Sequence, residues 1–359
     1  MKAALVNMLV DPGDHSGLDL EVVAQTDDEI MGANLTSRSG HTYEVRGGIP
    51  RFLTSQDWDQ LQTMHAFGFK WRNEATYAWA RKTGDEGLYA AWLSEKYGFG
   101  SVTDWCRHFA GKRILDLGCG SGMASYFWLT SREWVPSAPW VGVDISDAVD
   151  VAREHLRHVP NTHFVQADAM KLPFPDETFD AVLSEGVLHH TPSTRRAIES
   201  AARVVVTGGE LNFYVYRRKA PAREFTDDYV REKLRGLTDE EAWAAMRSLT
   251  MLARSLATLK AEVTVEEDVP LLGIKAGRQD VQRLIYWTFA KLYWNEAFDF
   301  EENVHVNYDW YRPVYAHRQS EEEIREWCQA AALEITRIHE QESGFTVRAL
   351  KNSTPQIGR

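Results

Sequence analysis

Between residues 111 and 216, short blocks of consecutive apolar residues alternate with stretches whose apolar positions recur every three or four residues. The blocks predict strands buried on both faces, and the spaced stretches predict helices packed against them. That alternation is the pattern of a parallel α/β sheet. Strands are expected over residues 113–117, 140–144, 163–166, 179–183 and 211–215. Helices are expected over 123–130, after Ser146 as N-cap, and over 193–205. Farther on, Ser320 and Glu323 form a capping-box pattern for a helix through Ala331. Residues 334–338 and 345–350 then read as two strands joined by a turn around Ser343 and Gly344.

The flanking regions have other textures. Residues 1–55 read as short strands and turns, with an apolar run over 3–10 as the first strand. Residues 56–110 are rich in aromatics and read as a helical cap. Residues 217–307 read as a helical insertion carrying Trp243, Tyr286, Trp287, Tyr293 and Trp294. Residues 308–359 read as a return to the sheet. Length agrees with this division, since 359 residues suit two or three domains. No apolar run approaches the length of a membrane span, and the acidic residues after residue 10 argue against a secretory leader. A cytoplasmic protein with no membrane partner is the expectation. The formal net charge of −12 lowers the expectation of a nucleic-acid partner, because phosphate contacts call for a basic face. Cys106, Cys119 and Cys328 form no C-x-x-C pair, so neither a disulfide framework nor a cysteine-rich metal site is expected.

Candidate chemistry concentrates where the expected strands end. After the strand at 113–117 comes Asp116-Leu117-Gly118-Cys119-Gly120-Ser121-Gly122, leading into a helix. Glycines let the backbone turn sharply, and a helix start offers unpaired N–H groups to an anion. The spacing G-x-G-x-G differs from the G-x-G-x-x-G of dinucleotide enzymes, because position 123 is Met. Asp144 ends the next strand, where an acid can accept both ribose hydroxyls of a nucleotide. Asp168 and Ala169 follow the third strand. Glu185, Val187, His189 and His190 follow the fourth.

Taken in order, D-x-G-C-G-S-G, V-D-I-S, Q-A-D-A-x-x-L-P-F, F-D-A-V, L-H-H and G-G-E-L resemble the class I S-adenosylmethionine (SAM) dependent methyltransferases. The likeness is to their small-molecule, ubiquinone-methyltransferase-like group, and it covers residues 111–216. It implies a Rossmann-like sheet that ends in a reversed C-terminal hairpin, with SAM as cofactor and a small-molecule acceptor. It also implies roles. Asp116, Gly118, Cys119, Gly120 and Gly122 would hold the methionine part, and Asp144 the ribose. Ile145 would pack on adenine, Asp168 and Ala169 would meet its amino edge, and Glu185 and Val187 would border the transfer point. The same fold also serves enzymes that use SAM for other chemistry, and binding modules without catalysis.

Residues 35–53 resemble the second half of a small zinc-ribbon module. Thr36 and Ser39 stand where that module has cysteines, so a metal-free remnant is expected. Residues 67–71 resemble a segment that covers the cofactor in this group. His189 and His190 are the candidates for a base, should the acceptor need one. The insertion is expected to form a lid for the acceptor, with Tyr286, Tyr308, Asp309 and Tyr311 as its contacts. Oligomeric state is not legible.

Overall fold

The computed structural model describes residues 1–26, 29–53, 58–72, 86–129 and 136–353. These group into two compact units. Residues 1–56, 80–216 and 319–359 make the first, and residues 57–79 and 217–318 make the second. Residues 73–85 of the expected helical cap, and Thr130 at the end of the first expected helix, lie outside the described residues.

The first unit begins with a helical turn, Ala3–Val6, where the apolar run predicts a strand. The reason is spacing: Met1, Leu5 and Leu9 are buried four apart, so a helical turn brings them to one side, with Val10 buried after the turn. Four strands follow, β1 (Leu18–Thr26), β2 (Glu29–Ser37), β3 (Thr42–Arg46) and β4 (Ile49–Pro50), paired in that order as an antiparallel sheet. Alternation on β2 and β3 buries Ile30, Ala33, Leu35, Tyr43 and Val45 in the same core as the main sheet. The zinc-ribbon likeness finds no support here. Thr36 meets Thr42 through their hydroxyls, Ser39 lies 3.3 Å from His41 Nδ1, and His41 Nδ1 lies 2.9 Å from Asp11. Among the described residues no cluster of three or more His, Cys, Asp or Glu side chains is placed to hold a metal.

The core of this unit is a sheet of seven strands. β5 (Ile114–Leu117), β6 (Trp140–Asp144), β7 (Thr162–Gln166), β8 (Phe179–Glu185) and β9 (Val205–Tyr216) are parallel. β10 (Glu262–Val265) and β11 (Gly277–Asp280) belong to the second unit, and β12 (Leu333–Glu340) and β13 (Gly344–Lys351) close the sheet. Its order is β12-β13-β9-β8-β5-β6-β7, with β13 antiparallel to β9 and β12 antiparallel to β13. This is the Rossmann-like methyltransferase topology with its reversed final hairpin. The chain reverses direction between β5 and β8, so the loops after these strands open beside one another, where ligands bind in open α/β sheets. The Ser320–Glu323 capping box starts the helix Glu321–Ala330 as the sequence predicts. The helix Ala148–Leu156 has Asp147 at its N-cap position without a side-chain cap bond, and it is Ser146 Oγ that accepts the Ala148 N–H at 3.3 Å while its hydroxyl donates to Asp144.

The second unit is mainly helical. Its helices are Trp58–Arg72, Pro221–Leu234, Asp239–Thr258, Val281–Thr288 and Phe300–Tyr311. The antiparallel pair β10–β11 interrupts it, where the sequence pattern predicts only helix. Both strands are four residues long and largely exposed, so the alternation of Val263 and Val265 in β10 is too short to stand out and β11 has none. The expected return to the sheet at residue 308 falls inside the helix Phe300–Tyr311, and the units change between residues 318 and 319.

Candidate functional site

The site is built at the C-terminal ends of β5, β6, β7 and β8. β5 hands over to a turn in which Gly118, Gly120 and Gly122 all have positive φ. At Gly118 the conformation and the space both demand glycine: φ is +79°, and a Cβ would lie 2.2 Å from Val187 Cγ2. Val187 follows β8, so this contact fixes the distance between the two loops. The Gly118 and Cys119 N–H groups donate to the Val143 carbonyl at 2.6 and 3.0 Å, tying the same turn to the end of β6.

Three carboxylates surround that turn. Asp116 is 5% exposed, and Ser125 donates a hydrogen bond to it. Among the described residues no cation pairs with it. Burial raises its carboxyl; the Ser125 bond lowers it; the negative charges of Asp144 and Glu185 raise it further. The balance sets it at about 7. Asp144 accepts from the Gly120 N–H at 2.9 Å, and from the Ser146 N–H and hydroxyl at 2.8 and 2.7 Å. Ile145 follows it in the loop, its carbonyl accepting from Gln166 at 3.0 Å, and Arg51 holds Gln166 in turn at 2.7 Å. Asp168 is buried after β7 and accepts from the Met170 N–H at 2.8 Å, with buried Ala169 beside it.

Glu185 has partners that sequence reasoning missed. Lys96, at the end of the helix Glu86–Lys96, donates to one of its carboxylate oxygens, and the Tyr97 hydroxyl donates to the other at 2.6 Å. Both partners are buried, and the Lys96 ammonium sits 3.7 Å from the Tyr214 ring centroid at the end of β9. Burial lowers the Lys96 pKa, opposed by Glu185, and burial with the Glu185 charge raises that of Tyr97. Nothing near Glu95-Lys96-Tyr97 in the sequence marks these residues, since their partner lies 89 residues away.

His189 and His190 lie on the short 3₁₀ turn Leu188–His190, and both are buried. The His189 ring lies 3.8 Å from that of Tyr216 and 4.2 Å from that of His190, so the pair is part of an aromatic cluster on β9.

The remaining sequence candidates fall in the helical unit. Tyr308 is buried, packs on Phe69 and Trp243, and donates to Asp239 at 3.0 Å. Asp309 forms an ion pair with Lys70 at 2.6 Å. Burial raises its carboxyl, but Lys70 together with the charges of Lys291 and His305 holds it well below the usual range. Tyr311 accepts from the Lys291 N–H at 2.9 Å. The Tyr286 ring lies edge-on to Trp287 at 4.6 Å. The residues 67–71 singled out in the sequence lie on the helix Trp58–Arg72, in this unit.

The glycine turn and its acids lie in a segment that is similar to a known domain. Residues 115–213 match the methyltransferase domain. The phthiotriol/phenolphthiotriol dimycocerosates methyltransferase 1 of Mycobacterium ulcerans is 33% identical over 133 residues, 37% of this chain and 48% of that protein. The fatty-acid O-methyltransferase of Mycolicibacterium smegmatis is 38% identical over 113 residues, 31% of this chain and 38% of that one. A probable tRNA methyltransferase 9B of Homo sapiens is 35% identical over 118 residues, 32% of this chain and 24% of that one. The chain thus spans less than half of the length of each of these relatives. Because one of them is named for a tRNA, the expectation of no nucleic-acid partner gains no support from relatedness. No described helix is long and apolar enough to cross a membrane.

Proposed function

We propose that the protein transfers a methyl group from SAM to a small-molecule acceptor. The observation that carries this reading is Asp116: a buried carboxylate at a glycine turn, pressed by two other acids and lacking a cationic partner among the described residues. Such a group favours a ligand that brings positive charge, and the methionine ammonium of SAM supplies it. Asp144 would hold the ribose, Asp168 and Ala169 the adenine edge, and Ile145 the adenine face. When bound, SAM provides a methyl group made electrophilic by its sulfonium. The chain's own contribution is placement: the Gly118–Val187 contact and the Lys96–Glu185–Tyr97 network hold the rim of the site rigid, and alignment of donor and acceptor supplies much of the rate. His189 and His190 are the proposed proton acceptors where the nucleophile is a protonated oxygen or nitrogen.

Titration calorimetry tests the cofactor. SAM should bind one-to-one and NAD should not. The sign of the pH dependence follows from Asp116. Its carboxyl is protonated below about 7 in the free protein and must ionise to meet an ammonium. SAM affinity should therefore rise as pH rises from 5.5 to 7, by up to about tenfold per unit, with proton release on binding. Asp116→Asn should bind more weakly and lose this dependence. NAD binding, or SAM affinity flat across that range, contradicts the reading.

Acceptor recognition is assigned to the helical unit, with Tyr286, Tyr308, Asp309 and Tyr311 as its proposed contacts. Tyr311→Phe and Asp309→Asn should then lower methyl transfer while changing SAM affinity by less than about threefold, or ~0.7 kcal/mol. If either folded variant lost SAM binding and kept its turnover at saturating SAM, these residues would serve the cofactor instead.

A further inference from the structure

The helical unit gathers cations around one indole. Measured to the Trp310 ring centroid, Lys291 Nζ lies at 4.5 Å, Arg223 Cζ at 5.2 Å, Arg231 Cζ at 5.5 Å and Lys219 Nζ at 5.9 Å. The carboxylates that act on this group, Asp227, Asp228, Asp309 and Glu224, are each already in an ion pair. Asp227 accepts from Arg223 at 2.8 Å and from the Trp310 indole N–H at 2.8 Å. Asp309 is held by Lys70 at 2.6 Å. Arg231 donates to the Trp310 carbonyl at 3.1 Å and to Asp228 at 3.3 Å, and Arg223 also donates to the Tyr286 carbonyl.

Lys291 stands apart. It is only 7% exposed, its backbone N–H is fixed on Tyr311, and among the described residues its ammonium has neither a carboxylate within 4 Å nor a hydrogen-bond acceptor. Its nearest aromatic face attracts a cation but is no substitute for a counter-charge. A buried ammonium in that condition is costly to keep, and proteins retain such groups where a ligand completes them. The neighbouring charges agree. Burial lowers the Lys291 pKa to about 7 against the opposing charges of Asp309 and Asp227, and burial together with Arg223, Arg217 and Lys291 lowers that of Lys219 to about 6 against Glu224.

We propose that Lys291 and Lys219 bind the anionic group, a carboxylate or phosphate, of a small molecule that packs against Trp287. Lys219 Nζ lies 5.6 Å from the half-buried Trp287 ring centroid and 5.9 Å from that of buried Trp310, so the two lysines share Trp310 as a neighbour. An oxyanion there would accept charge-assisted hydrogen bonds from both lysines. Calling this molecule the methyl acceptor rests on the methyltransferase reading; the anion site itself does not.

The test is calorimetric titration of the full chain with benzoate, phenyl phosphate and the neutral benzamide, beside a separate titration with SAM. At least one of the two anions should bind, and the better of them identifies carboxylate or phosphate as the group recognised. Benzamide should bind at least about tenfold more weakly. Lys291→Met should weaken the anion by about tenfold or more, while Lys291→Arg, which keeps the charge, should retain most of it. Both variants should bind SAM as the parent does, which also shows that they are folded. If Lys291→Met fails that control, Lys219→Met takes its place with the same expectation. Failure of both anions to bind at millimolar concentration overturns the proposal, as does equal binding of benzamide or an anion affinity indifferent to both Met substitutions. Anion binding without SAM binding would leave this site standing and sink the cofactor reading. SAM binding without anion binding would do the reverse.

Discussion

Gly118→Ala is expected to destabilise the protein by about 2–5 kcal/mol in urea-induced unfolding. Two terms add. A non-glycine residue in the left-handed region costs roughly 1–2 kcal/mol, and Gly118 has φ +79°. Overpacking costs roughly 1–3 kcal/mol more, because the new Cβ would meet Val187 Cγ2 at 2.2 Å, Cγ1 at 2.4 Å and Cβ at 2.7 Å. Rotating the valine cannot relieve the last of these. Either the turn or the loop after β8 must move, and both border the cofactor site, so SAM binding should weaken as well. Gly208→Ala is the control. It has φ +82° and nothing within 4 Å of an added Cβ, so it should show the backbone term alone. Equal effects of the two substitutions would mean that the Gly118–Val187 contact does not constrain the site.

Asp144→Ala should lower SAM affinity roughly 10- to 150-fold. Loss of charge-assisted hydrogen bonds of about 1.5–3 kcal/mol sets that range. The structure adds a second route to the same loss, because the Asp144 carboxylate also fastens Gly120 and Ser146 and so holds the glycine turn against the end of β6. Ser146→Ala separates the routes, since it removes only the hydroxyl that donates to Asp144. A large effect of Asp144→Ala with a small one of Ser146→Ala points to direct ribose contact. Equal effects would show that Asp144 acts through the turn, and an unchanged dissociation constant in folded Asp144→Ala would remove it from the site altogether.

The five parallel strands were readable because each is buried on both faces, which leaves a short unbroken apolar run with a turn signal on either side. The acids at their ends were readable for a related reason: a carboxylate directly after such a run has left the core and faces the loops. The segment before residue 11 misled because a run of apolar residues contains a helical spacing as well as a strand. Met1, Leu5 and Leu9 are buried in the structure, while the residues between them are not all so. The exposed hairpin β10–β11 left only the brief alternation of Val263 and Val265, since strands of four residues without a buried face impose no longer pattern.

Local sequence determined the sheet, its reversed hairpin, the glycine turn and the places where Asp116, Asp144 and Asp168 emerge, because each depends on residues within one strand and the loop that follows it. Tertiary structure alone decided which charges meet. Lys96 and Tyr97 reach Glu185 across 89 and 88 residues, Lys70 reaches Asp309 across 239, and Lys291 lies beside Trp310 with no direct ion pair among the described residues. Electrostatic pairing depends on distance through space and on burial, and neither is encoded in the neighbouring residues of either partner.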